Sequence, residues 1–397
     1  MANNRIYYAI QQVAIKSDGA SVFFPIKGLQ SVGMTTNFNL SQVFEMGQIS
    51  IYENIEEIPD VQMTLNKVLD GYPPIFCLST MKTSTPTLVN RGNQKCSAHL
   101  SVFDESSTSA LGTPVTQCEM SGLYTNTIRY NFPRDGNFTE EITLVGNDKL
   151  WKSDSRIVNT ADSSRAGAIS MSGAFVGTDS PASAAGVSRR QDILFLTASG
   201  GTDVNGAVTD PDVTILPPEV AGIGSNGVNT LTAVSRAHIN SISVSTNLNR
   251  EAINELGKRA PYFRNPTYPV EVTTEIEITA TSGDLISSTE SGIFSNSAGG
   301  CGSDSGNLKD RTIRIATCDG LRLYCGLKNK LSSVNYGGGD AGGGHVAVSY
   351  TFTNFNDFTV MHSGEATLGS YAGVSNSLGI TNCTGFWSTG KYTYLVN

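Results

Sequence analysis

Charge is scarce in this 397-residue chain: 16% of its residues are Asp, Glu, Lys or Arg, with 27 basic against 35 acidic side chains. Beyond Arg189-Arg190 there is no basic cluster, so the footprint expected of a protein that grips nucleic-acid phosphates is missing. No run approaches the ~18 apolar residues of a membrane-spanning helix. Met1-Ala2-Asn3-Asn4-Arg5 leads into a polar mix without an apolar core segment, which makes the expectation synthesis in the cytosol without a signal peptide. Only two tryptophans, Trp151 and Trp387, are present, thin provision for stacking on sugars. The seven cysteines (Cys77, Cys96, Cys118, Cys301, Cys318, Cys325, Cys383) are irregularly spaced and contain no Cys-x-x-Cys, which excludes the zinc modules. Buried free thiols are expected, with bridges between subunits as the alternative. The four histidines (His99, His238, His345, His362) never fall at metal-ligand spacing. The run Gly337-Gly338-Gly339-Asp340-Ala341-Gly342-Gly343-Gly344 lacks the Lys-Ser/Thr of a phosphate loop and leads into a strand pattern, so it reads as a hairpin tip. Nothing points to an enzyme, and no catalytic, cofactor or metal site is expected.

What the chain does have is a long internal echo. Residues 30 to 59 match residues 240 to 269 without a gap, eight of 30 positions being identical at a constant offset of 210. Ser31-Val32-Gly33-Met34-Thr35-Thr36-Asn37-Phe38-Asn39 stands against Ser241-Ile242-Ser243-Val244-Ser245-Thr246-Asn247-Leu248-Asn249, and Glu45-Met46-Gly47 against Glu255-Leu256-Gly257. Dropping Asp60 aligns Val61, Met63 and Thr64 with Val270, Val272 and Thr273. Further on, Tyr130-Asn131-Phe132 is matched to Tyr350-Thr351-Phe352. Landmarks in one order across both ends argue for one fold built twice. The expected organisation is a first β domain at 1–150, a second at 213–397, and a Ser/Ala/Gly-rich segment at 151–212. That segment reads either as a tether or as an ordered arm on a neighbouring subunit, with a short strand at Asp192-Ile193-Leu194-Phe195-Leu196.

The 41 glycines and abundant Ser, Thr and Asn favour a β-rich chain. Glu271-Val272-Thr273-Thr274-Glu275-Ile276-Glu277-Ile278-Thr279 alternates apolar and acidic residues, as a half-buried strand does. Asn39 to Gly47 and Asn249 to Gly257 begin with Asn and stop with Gly around one apolar residue, which predicts a short capped helix in each unit. The fold class is therefore mainly β: two tandem, related β-sandwich or half-barrel domains, each with a short helix. The segments Gln48 to Pro59 and Lys258 to Pro269 carry Tyr, Asn and Pro. They are expected to form exposed loops or hairpins whose Tyr52, Asn54, Ile55, Tyr262, Phe263 and Arg264 make contacts between subunits or rings.

At the repeated segment the chain resembles a tail tube protein of a tailed bacteriophage. The resemblance lies in Gly28-Leu29-Gln30-Ser31-Val32 leading into Asn37-Phe38-Asn39, then Val43-Phe44-Glu45-Met46-Gly47-Gln48, Tyr52-Glu53-Asn54-Ile55 and Ile58-Pro59-Asp60-Val61. In the second unit it lies in Asn247-Leu248-Asn249, Glu255-Leu256-Gly257-Lys258, Pro261-Tyr262-Phe263-Arg264 and Pro269-Val270-Glu271-Val272. It implies β-sandwiches whose sheets join around a ring into an inner β-barrel, with rings stacked into a conduit for the genome. The implied setting is the tail of a virion assembled in the host cytoplasm, with the chain itself, and a sheath or other tail proteins, as partners. If a ring needs six folds and each chain supplies two, a trimer with pseudo-sixfold symmetry closes it, a hexamer of chains being the alternative. A net charge of -8 suits a lumen that genomic DNA crosses without specific binding. The competing readings are another phage structural part, such as a decoration or tail-completion protein, and a carbohydrate-binding or adhesin module.

Overall fold

A computed structural model of the chain describes residues 6–18, 23–80, 87–104, 114–153, 187–193, 214–217, 220, 238–258, 261–279, 310–317, 320–337 and 346–362. The first half runs β1 (Gln11–Ser17), β2 (Phe24–Pro25), β3 (Leu29–Asn37), β4 (Leu40–Phe44), β5 (Ile51–Glu56) and β6 (Asp60–Val68). It continues through α1 (Ile75–Ser79), α2 (Leu88–Gly92), β7 (Lys95–Val102), β8 (Thr116–Pro133), β9 (Thr139–Gly146) and β10 (Leu150–Ser153). The second half contains β11 (His238–Asn247), β12 (Arg250–Ile253), β13 (Phe263–Pro266), β14 (Glu271–Thr279), β15 (Arg314–Ala316), β16 (Leu321–Tyr324), β17 (Lys330–Gly337), β18 (Ala347–Phe355) and β19 (Thr359–His362). The chain is mainly β, in large antiparallel sheets.

One run of eight antiparallel strands organises the molecule, in the order β3-β6-β9-β8-β11-β14-β18-β17. Its first four strands and its last four are the same unit in the same order. The remaining strands repeat too. β10 pairs with the N-terminal half of β8 as β19 pairs with β16, and β1 lies beside β7 as Ile215 bridges to Arg314 of β15. The 18-residue β8 does alone what β16 and β17 do separately: its first half pairs with β7 and β10, its second half with β9 and β11.

Alternation sets the two faces of the eight-strand sheet. Val32, Leu65, Ile142 and Ile128 lie opposite one another in successive strands and point into a hydrophobic cluster that also takes Ile276, Tyr350 and Phe352 from the second half. One position along, the row Ser31, Asn66, Glu141, Arg129, Ser245, Thr273, Thr353 and Lys330 crosses all eight strands without an apolar residue. The expected strand at 271–279 is β14, with Val272, Ile276 and Ile278 buried.

Three sequence expectations are revised. Asn39 to Gly47 and Asn249 to Gly257 are not helices; they are the first strands and turns of two hairpins, β4–β5 and β12–β13. Gly47 (φ 107°) and Gly257 (φ 85°) supply the left-handed turn residue that a helix C-cap would also demand, so Gly alone did not discriminate. The helices of the first half are instead α1 and α2. Beyond the hairpins the ladders place Val61 level with Val272, since Thr36 faces Val61 where its equivalent Thr246 faces Val272. Likewise Tyr350 is equivalent to Ile142, and Tyr130 to Tyr336, one strand away from the sequence match. A Tyr-x-Phe alternation fits any core-facing strand, which is why it misaligned.

Within 151–212, residues 187–193 pack on their own chain. Ser188 donates its N–H to Leu69 O at 2.8 Å, and its O accepts from Phe138 N at 3.0 Å. Arg190–Asp192 forms a 3₁₀ turn and Ile193 bridges to Thr317, while the rest of the expected strand 192–196 lies outside the described residues.

Candidate assembly interfaces

The two units meet inside the chain at a junction with two parts. The first is a ladder: Ser241 to Asn247 of β11 pair antiparallel with Pro133 to Thr127 of β8, Val244 facing Tyr130 and Ser245 facing Arg129. The second is the β12–β13 hairpin, which folds back over the first unit. Leu248, at the entrance to the hairpin, is fully buried, and Leu248 N donates to Asn126 O at 2.8 Å. A Cβ added to Gly92 at the end of α2 would lie 2.9 Å from Leu248 Cδ2, so a larger residue there would make the Leu248 side chain shift.

Two arginines clamp the hairpin down. The Arg250 guanidinium donates to Thr125 O (2.8 and 2.7 Å), to Arg264 O (3.0 Å) and to Gly92 O, and stands over the Tyr124 ring at 4.9 Å. Burial lowers its pKa to about 10, which still leaves it cationic at neutral pH. A buried cation of this kind is tolerable because three carbonyls and a ring face surround it. Arg264 donates through Nε and Nη2 to Asn147 Oδ1 (3.2 and 3.0 Å) and pairs with Asp60. Asn147 is held in turn by Pro59 O and Asp60 Oδ1 at 3.0 and 3.1 Å. Phe263 packs edge-on against Tyr124, ring centroids 5.4 Å apart, and Lys95 stands over both rings.

The equivalent surfaces on β3–β5 and on β17–β18 have no such cover among the described residues. β3 pairs only with β6 and β17 only with β18 among the described residues, so each presents a free edge. No residue of β3 is buried, whereas its equivalent β11 buries Ile242, Val244 and Thr246. Tyr336 of β17 is 58% exposed where its equivalent Tyr130 is fully buried. Every residue of β4 and β5 is exposed. Phe38, the counterpart of buried Leu248, is 68% exposed, and Leu40, the counterpart of clamped Arg250, is 59% exposed. Unpaired edges beside apolar side chains invite association unless something covers them.

Of the residues singled out from sequence, Tyr52, Asn54 and Ile55 lie on the uncovered β5 and Tyr262 projects beside the β12–β13 hairpin, all four exposed. Phe263 and Arg264 serve the junction between the two halves of one chain. Sequence reasoning missed Arg250, Leu248, Phe38, Leu40 and Tyr336. A signal existed: within the repeat, Leu40/Arg250 and Asn54/Arg264 are among the pairs that change chemistry.

The polar face of the eight-strand sheet gathers Glu141, Glu271, Glu275 and Glu277 against Arg129 among hydroxyl and amide side chains. At the β8–β11 join it is concave, holding a depression of about 340 Å³ lined by Arg129, Glu141, Ser245, Glu271 and Thr273. Two titratable groups of the interior, Glu140 and Lys67, have structural partners. Glu140 accepts from Ile75 N (2.6 Å), Phe76 N (3.1 Å) and Tyr130 OH (2.7 Å), and burial raises its pKa. Lys67 Nζ donates to Asp70 Oδ1 at 2.6 Å and Lys27 O at 2.7 Å. Burial holds His99 and His362 neutral, with pKa lowered to about 3. Cys77, Cys96, Cys118 and Cys325 are free, buried thiols; Cys301, Cys318 and Cys383 lie outside the described residues, as does 338–345 of the glycine-rich run joining β17 to β18. No group of three or more His, Cys, Asp or Glu side chains fit to hold a metal occurs among the described residues.

No family model and no curated protein matches the chain. Among solved structures, a chain of the anti-feeding prophage baseplate is similar at 14% identity and a TM-score of 0.30, over 38% of this chain and 98% of its own. A chain of the PVC sheath–tube complex, an extracellular contractile injection system in the extended state, is similar at 14% identity and a TM-score of 0.29, over 38% and 95%. Hcp1 from Flavobacterium johnsoniae is similar at 9% identity and a TM-score of 0.21, over 35% and 98%.

Proposed function

We propose that the chain is a structural subunit that polymerises into stacked rings, forming a phage tail tube through which the genome passes. One observation carries this reading: the β8–β11 join fuses two equivalent four-strand units edge to edge, and among the described residues the fused run ends in the same two edges, unpaired. A unit that pairs its last strand with the first strand of the next unit can repeat that step until the sheet closes on itself. Closure removes the edges that a linear run always leaves. With six units to a ring, three chains close it with pseudo-sixfold symmetry.

The sheet's two faces fit that arrangement. The apolar face is already covered by the second layer, so the polar face is the one that lines the lumen. Glu141, Glu271, Glu275 and Glu277 there repel phosphate, and the hydroxyl and amide groups between them offer little grip. Exposed hairpin tips, where Met46 and Leu256 are fully in solvent, provide contacts along the stack.

The test is electron microscopy and native mass measurement on the purified full-length chain. Long hollow filaments built from rings of three chains are expected. Discrete oligomers that never elongate would refute the tube, and six chains per ring would refute the trimer.

A further inference from the structure

The chain contains, at its middle, a finished copy of the contact it must make with its neighbour, and the register of that contact can be transferred residue by residue. We propose that a second copy of this chain docks its β3 edge and β4–β5 hairpin on the β17–β18 end of the first, in the β8–β11 register. Asn54 of one copy then meets Phe355 of the other, while Phe38 takes the place of Leu248 beside Ser332 and Leu40 that of Arg250 beside Leu331. The proposal rests on the ring reading above and deepens it by naming both partner surfaces.

The equivalences come from the ladders. β3 corresponds to β11 at the offset of 210, Met34 to Val244 and Thr35 to Ser245. Ile128 corresponds to Val334, because each lies opposite an equivalent residue of the next strand: Ile142, which faces Leu65, and Tyr350, which faces Ile276. By the same route Arg129 corresponds to Asn335 and Tyr130 to Tyr336. The intrachain pairs Val244–Tyr130, Ser245–Arg129 and Thr246–Ile128 therefore become Met34–Tyr336, Thr35–Asn335 and Thr36–Val334 between copies. Met34 and Tyr336 fall on the core side, where Tyr336 gains the cover that Tyr130 already has; Thr35 and Asn335 fall on the polar side.

The hairpins transfer as well, since Leu40↔Glu56 and Gln42↔Asn54 are paired at the same offset as Arg250↔Pro266 and Ala252↔Arg264. The chemistry at the two junctions differs in a concerted way. On the docking arm, Arg250 is replaced by Leu40, Arg264 by Asn54 and Leu248 by the larger Phe38. On the receiving side, Asn147, which accepts from Arg264, is replaced by Phe355, 54% exposed at the end of β18. Asn147 and Thr125 give way to the apolar Phe355 and Leu331, whereas Asp60 keeps an acidic counterpart in Glu271 and Tyr124 is replaced by Lys330. The match of these two surfaces to the two sides of the chain's own β8–β11 junction identifies the occupant as a second copy rather than another protein.

The test uses the full chain with Thr35→Cys and Asn335→Cys combined, oxidised after purification, with Thr35→Cys plus Ser333→Cys as the slipped control. Directly opposed residues in antiparallel strands place Cβ atoms about 4.5–5.5 Å apart, close enough for a disulfide to form with small adjustment. Covalent dimers and trimers are expected on a non-reducing gel, roughly tenfold above the slipped pair, whose Cα atoms are set one repeat of the pleat apart. A charge exchange adds a second readout: Thr35→Glu with Asn335→Glu weakens association, and Thr35→Glu with Asn335→Lys restores it. Correct-register cross-links without tubes would support the junction and sink the tube reading. Tubes without those cross-links would overturn the junction and leave the tube standing. Absence of both cross-link and association would overturn the junction.

Discussion

Leu248 and Phe38 occupy one position of the repeat, yet truncating them should damage different things. Leu248 is fully buried beside Gly92 at the end of α2. Leu248→Ala removes a buried side chain from a site pinned by backbone on several sides, which predicts a loss of about 2–5 kcal/mol in chain stability. Phe38 is 68% exposed, so Phe38→Ala should leave the isolated chain within ~0.5 kcal/mol of the parent. Covering that exposed part in a neighbour, on the order of 100–150 Å² of ring surface, is worth about 3 kcal/mol at 25 cal/mol per Å². Because every closed ring holds several such contacts, the defect compounds in assembly. The assay is chemical denaturation of dilute, unassembled chain for stability, paired with sedimentation of concentrated chain for assembly. Leu248→Ala should lower the denaturation midpoint; Phe38→Ala should shift only the assembly threshold. If Phe38→Ala destabilises the monomer like Leu248→Ala, or assembles at the parent threshold, the transferred junction is wrong.

Arg250→Ala should cost about 3 kcal/mol of stability, by stripping donors from the Thr125, Gly92 and Arg264 carbonyls; Arg250→Lys, lacking the planar fork, should recover only part of it in the same denaturation assay. His99 and His362 are held neutral with pKa lowered to about 3, so the unfolded chain binds more protons below its own value of 6.5. Their contribution is intact above pH 6.5 and is lost as pH falls towards 3, by about 1.4 kcal/mol per pH unit for each histidine. Glu140, raised by burial, takes up its proton earlier when folded and acts in the opposite direction, so the readout is the change in slope between the parent and His99→Gln. Tyr52→Ala and Tyr262→Ala should impair polymerisation while circular dichroism shows an unchanged fold, since both side chains are more than 60% exposed; normal tubes from both variants would count against a role for them.

Much of the fold was legible because it depends on local pattern. The alternation at 271–279 fixes β14 and its buried face whatever lies next to it, and the Asn and Gly positions fix where the chain turns. The hairpins were placed correctly and typed wrongly, because Asn before and Gly after an apolar residue suits a capped helix and a two-stranded turn alike. The Tyr-x-Phe landmark slid by one strand for a similar reason: residue types that face a core recur in every strand. Arg264 was marked as a contact residue from its place in the repeat, but its partners Asp60 and Asn147 lie more than a hundred residues away and no local pattern reports them.

The sequence by itself pointed to one unit written twice and to a β fold, and it marked where the chain turns near Gly47 and Gly257 while reading the segments before them as helices. Only the tertiary structure decided which copy of each surface is covered. Leu248 and Phe38 are equivalent in sequence, but β11 pairs with β8 of the first unit, whereas β3 pairs only with β6 among the described residues. Burial belongs to a residue together with its neighbour, and within the described residues only the second unit has that neighbour.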